Sequence, residues 1–140
     1  MGLAEKRAVE DFKKNEYEVF LKSIKDITQA DISVDTEWDK LSPNLEGYGD
    51  AKATLVDYFQ NMFAETILQS FKSICADDMG KQALQGAVKK IVLTCSPNAS
   101  THKAGFKFED AILSLDLRYA NTDQVKDRVE SMIKLIESKL

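Results

Sequence analysis

Residues 51–76 place apolar side chains at Leu55, Phe59, Met62, Phe63, Ile67, Phe71, Ile74 and Cys75, the three-to-four spacing of one helix face. Val56 and Leu68 widen that stripe. A helix this apolar has to be enclosed, so the pattern predicts a central helix over about 51–76 with other elements around it. Asp50 stands where its N-cap belongs.

What surrounds it follows from the same periodicity argument. Val9, Phe12, Val19, Phe20, Ile24 and Ile27 predict a helix from about Glu5 to Ile27, with the stripe interrupted at Glu16. Ile32, Val34, Thr36 and Trp38 then alternate with Ser33, Asp35, Glu37 and Asp39, which predicts a half-buried strand over 31–39 with a charged outer face suited to a sheet edge. Ser42-Pro43 allows one short helical turn, and Gly47 and Gly49 flank Tyr48 in a loop. Asp77 or Asp78 caps a short helix that Gly86 ends. Val88–Cys95, Phe106–Phe108 and Ile112–Leu117 read as consecutive strands, and Asn121-Thr122-Asp123-Gln124 as a capping box before a last helix on Val125, Val129, Met132, Ile133 and Ile136.

The order is α-β-α-α-β-β-β-α. Short connections between strands predict an antiparallel three-stranded meander over 88–117. With an edge strand over 31–39 and about four helices, the expectation is a two-layer α+β fold in one domain over residues 1–140.

Composition excludes several function classes. The chain has 140 residues and a net charge of −4, and no run approaches the ~20 apolar residues of a spanning helix. Residues 1–7, MGLAEKR, lack the apolar core of a signal peptide, and Lys6 stands where a myristoylation motif expects Ser or Thr. The expectation is a cytoplasmic protein with no membrane partner and with Cys75 and Cys95 as reduced, buried thiols. Residues 1–50 carry seven Lys/Arg against twelve Asp/Glu, and residues 51–140 twelve against eleven. A chain so poor in clustered base has no nucleic-acid partner, and a strongly charged partner should be a basic protein meeting the first third.

Asp35-x-Glu37-x-Asp39 with Glu46 matches the ends of a calcium loop, but Lys40 stands where that loop needs Gly, and no entering helix precedes it. Asp35, Glu37, Trp38, Asp39 and Tyr48 read better as an acidic, aromatic dock for a basic protein. The alternative is that Trp38 is core and Tyr48 props a loop. Residues 96–105, SPNASTHKAG, carry His102 and Lys103 and suit a polar ligand, without the spacing of a phosphate-binding P-loop. Cys95, His102 and Asn98 form a nucleophile and base only if the fold brings them together. A pocket between sheet and central helix would be lined by Phe59, Phe63, Phe106 or Phe108. No metal motif, cofactor fingerprint or nucleophile elbow is present. The sequence thus predicts a binding module without cofactor, monomeric or homodimeric. A small-ligand pocket is the alternative, and an enzyme comes third.

Overall fold

A computed structural model describes residues 2–140. The fold is α+β, with a four-stranded mixed sheet covered on one face by helices. In chain order the elements are α1 (Leu3–Lys14), α2 (Glu16–Thr28), β1 (Ser33–Thr36), α3 (Trp38–Leu41) continuing into a 3-10 turn (Ser42–Leu45), α4 (Ala51–Tyr58), a π-helical turn (Phe59–Ala64), α5 (Glu65–Ile74), α6 (Asp78–Ala87), β2 (Lys90–Thr94), a 3-10 turn (Lys103–Gly105), β3 (Phe106–Glu109), β4 (Ile112–Asp116) and α7 (Val125–Glu137). Among the described residues no helix is long and apolar enough to cross a membrane.

The central helix forms as its stripe predicts. The Asp50 carboxylate caps α4 by accepting from the N–H groups of Lys52 at 2.9 Å and Ala53 at 3.2 Å. Leu55, Tyr58, Phe59, Met62, Phe63, Ile67 and Phe71 are completely buried. The π turn widens the helix at its middle, and the Asn61 carbonyl there accepts a hydrogen bond from the guanidinium of Arg128. Around Phe59 gathers an aromatic cluster of Phe12, Tyr17, Phe20 and Trp38. It joins Ile91, Leu93, Leu113 and Leu115 of the sheet in one hydrophobic core.

The sheet corrects the expected topology. Its order is β1-β2-β4-β3, with β1, β2 and β4 parallel and only β3–β4 antiparallel. The antiparallel meander over 88–117 does not form. After β2 the chain crosses to the far edge as β3, then turns back so that β4 inserts between them. The tight return is held by Asp110 and Ala111, both at left-handed φ of 54° and 65°.

Four smaller readings also change. The helix over Glu5–Ile27 is two helices broken at Asn15, whose amide donates back to the Asp11 carbonyl at 2.9 Å. The strand over 31–39 is shortened to Ser33–Thr36, because Trp38 already opens α3. Gly86 lies inside α6, which Val88 ends. Asn121 does not cap α7. It sits at a left-handed φ of 55° and donates to the Thr101 hydroxyl, while α7 starts after Gln124 without a side-chain cap.

Candidate functional site

Parallel alignment of β1, β2 and β4 brings their carboxyl ends to one edge of the sheet. In open sheets with parallel strands that edge is where ligands bind, because the chains leaving adjacent strands part and leave a crevice. Here α3 and its 3-10 turn leave β1, residues 95–105 leave β2, and residues 117–124 leave β4. They enclose a cleft of about 610 Å³ lined by Asp39, Lys40, Pro43, Asn44, Cys95, Ser96, Pro97, Ala99 and Arg118.

The walls are pinned by polar groups. Asp116, at the end of β4, accepts from both the N–H and the hydroxyl of Ser96, each at 2.6 Å. Leu117 N–H donates to Thr94 and Arg118 N–H to Ser100, so the loop after β2 runs as an extension of the sheet. Gly105 closes that loop against β4, where a Cβ would stand 2.2 Å from the Asp116 carbonyl oxygen. Only glycine fits there. Asn44 ties three segments together. Its amide donates to the Leu41 carbonyl at 3.0 Å and to the Cys95 sulfur at 3.4 Å, and its oxygen accepts from the Tyr119 N–H at 3.1 Å. Under this floor the buried Tyr58 hydroxyl donates to the Leu117 carbonyl, and burial pushes that phenol's pKa up.

Charge is arranged unevenly round the rim. The Thr94 hydroxyl first, and then Lys40 at 3.3 Å, hold the Glu37 carboxyl below its usual range. Arg118 is exposed and has no ion pair among the described residues. Behind it the Asp57 carboxylate accepts from Tyr119 and pushes that phenol up to about 12.

The residues singled out from sequence fall in three places. Asp39 lines the cleft and Glu37 precedes it at the start of α3, whereas Asp35 projects from the open face of the sheet, 3.9 Å from Lys90. Trp38 is half-buried in the aromatic cluster, stacked on Phe59 with centroids 5.9 Å apart. Tyr48 is 61% exposed, with its ring edge against Tyr119. His102 and Lys103 lie farther along the loop whose first half lines the cleft. The His102 ring bonds the Thr101 hydroxyl at 2.9 Å, and Lys103 is exposed. Phe59 and Phe63 are completely buried, with no surface left for a ligand. Cys95, expected on the buried face in phase with Leu93, is half-exposed at the cleft wall. The reason is that β2 ends at Thr94 and the strand alternation with it. Asn44 and Arg118 carry no motif in sequence, and the parallel pairing of β1 with β2 and of β2 with β4 brings them beside Ser96, Pro97 and Ala99 of the polar loop.

No protein-family model, no curated protein and no solved structure matches the chain.

Proposed function

We propose that the chain is a protein-binding domain without a catalytic role, which seats a short basic segment of a partner in the cleft at the carboxyl ends of β1, β2 and β4. One observation carries the reading. Asp39 of the acidic segment and Ser96, Pro97 and Ala99 of the polar loop, picked out separately in the sequence, line the same cleft. Pro43, Pro97, Ala99 and the half-exposed Cys95 supply an apolar middle, and Asp39, Lys40, Asn44 and Arg118 a polar rim, with Glu37 just outside it, 3.3 Å from Lys40. That is the anatomy of a small binding hot spot, an apolar anchor ringed by groups that set orientation. In this reading the partner's apolar side chain enters between Pro43 and Pro97, its Lys or Arg meets Glu37 and Asp39, and Arg118 takes a carbonyl or carboxylate of the segment. The surplus of acid over residues 1–50 steers the encounter.

Fluorescence anisotropy against a panel of short peptides, matched in apolar content and varied from acidic to basic, tests it. Basic peptides should bind and acidic ones should not, and the double variant Glu37→Lys, Asp39→Lys should weaken binding at least about tenfold with the melting temperature nearly unchanged. Equal binding of both peptide classes, or undiminished binding by the variant, contradicts the reading.

A small anionic ligand is the second reading, favoured by the unpaired Arg118 and by a cleft volume within the range of small-molecule sites. A rise in melting temperature with a carboxylate or phosphate compound, lost in Arg118→Ala, would support it.

A further inference from the structure

The helices cover one face of the sheet, and the other face is open. It carries Ser33 and Asp35 from β1, Lys90, Val92 and Thr94 from β2, Ile112, Ser114 and Asp116 from β4, and Lys107 and Glu109 from β3, none of them buried. The registers arrange these in rows across the sheet. One row reads Ser33, Lys90, Ile112, Glu109, and the next Asp35, Val92, Ser114, Lys107.

From this pattern we infer that the open face is a contact between two copies of the chain, related by a two-fold axis running along the strands. Such an axis keeps each row level and exchanges β1 with β3 and β2 with β4. Asp35 then faces the second copy's Lys107, and Lys90 comes beside its Glu109. Within one chain Asp35 already lies 3.9 Å from Lys90, and Lys107 lies 3.4 Å from Glu109. Stacking one pair on the other gives a square of alternating charge, and symmetry makes it twice. Val92 and Ile112 of both copies meet between the two squares.

A two-fold axis across the strands through the Asp35 row would lay Asp35 on Asp35 and Lys107 on Lys107, which repel, and one midway between the rows would pair only Lys107 with Glu109, leaving Asp35 over Ser33 and Lys90 over Val92. Growth through the β3 edge is opposed as well, since Lys139 donates to the Phe108 carbonyl there. The side chains concerned are free to take part, with Asp35 60%, Lys90 42%, Lys107 66% and Glu109 60% exposed.

Four short strands offer about 300 Å² per copy at ordinary strand spacing, which belongs to the weak class of interface. The dimer should therefore have a Kd between about 100 µM and 1 mM and loosen with salt. Sedimentation equilibrium of the full chain up to about 1 mM at low salt tests it, with two variants. Asp35→Lys alone and Lys107→Glu alone should each be monomeric. Mixed together they should pair, because the introduced Lys then faces the introduced Glu and the native Lys107 faces the native Asp35. Pairing only in the mixture also shows that both variants are folded. A wild type that stays monomeric throughout, or single variants that associate as well as the wild type, overturns the inference. Neither substitution touches the cleft, so peptide binding by the same variants separates failure here from failure of the function proposed above.

Discussion

The guanidinium of Arg128 donates from Nη1 to the carbonyl oxygen of Thr101 at 3.1 Å. Arg128 is completely buried, its other terminal nitrogen reaches the Asn61 carbonyl of the π turn, and its Nε has no partner among the described residues. The contact joins α7, the central helix and the loop that forms one wall of the cleft. An arginine is held there by carbonyl dipoles with no carboxylate in an ion pair with it, and burial lowers its pKa.

Replacing Arg128 should separate its packing from its hydrogen bonds. Arg128→Ala opens a cavity and leaves two carbonyls unpaired, and should cost about 3–5 kcal/mol in urea unfolding. Arg128→Met loses the same hydrogen bonds but keeps much of the volume, and should cost distinctly less because it leaves a smaller cavity. Equal losses for both would show that the hydrogen bonds, and not the packing, carry the effect.

The Ser96–Asp116 contact ties the loop after β2 to the end of β4. In Asp116→Asn one of the two acceptors becomes a donor, so Ser96 loses a charge-assisted bond, at a cost of about 1–3 kcal/mol. Amide hydrogen exchange should quicken between Ser96 and Thr101 and stay slow in α5. Unchanged exchange in that loop would show that Asp116 does not hold the wall.

Gly105→Ala tests the close approach at the same wall. The added Cβ meets the Asp116 carbonyl at 2.2 Å and the Leu117 side chain at 3.1 Å, so the loop must move off β4. Overpacking of this kind costs about 1–3 kcal/mol. A variant as stable as the wild type would contradict the packing described.

Tyr119 makes the alkaline limit of stability specific. Its hydrogen bond to Asp57, with burial second, raises its pKa from 10.0 to about 12. The folded form therefore keeps a proton that the unfolded chain loses above its own pKa. The stabilisation from this group is whole below pH ~10 and falls as pH rises towards ~12. Thermal melts of wild type and Tyr119→Phe should show a gap that is widest at neutral pH and narrows between pH ~10 and ~12. A gap that stays constant over that range would contradict the shift.

The central helix was legible because every turn of it buries a large side chain, and the Asp50 cap was legible because Asp before an apolar run has few other uses. The split at Asn15 was not, since neither Gly nor Pro marks it and the stripe resumes in nearly the same phase. Strand pairing was the larger failure. Leu113 and Leu115 alternate identically in parallel and antiparallel sheets, so the pattern gives the buried face and not the neighbour. The observed order brings Asp116 onto Ser96 and Gly105 against β4, contacts that the alternation of apolar residues does not announce. The cleft depends on that order. Asp39 was visible as one of a run of acids, while Asn44 and Arg118 carry no signal until the strands are paired.

Chemical-shift mapping of backbone amides, on titration with the basic peptide that binds best in the panel, bears most directly on the proposed site. Shifts should saturate together at Asp39, Asn44, Ser96, Ala99 and Arg118, with Val92 and Ile112 unmoved. Shifts centred on the open sheet face or on α2, or no basic peptide that saturates any of these amides, would contradict it.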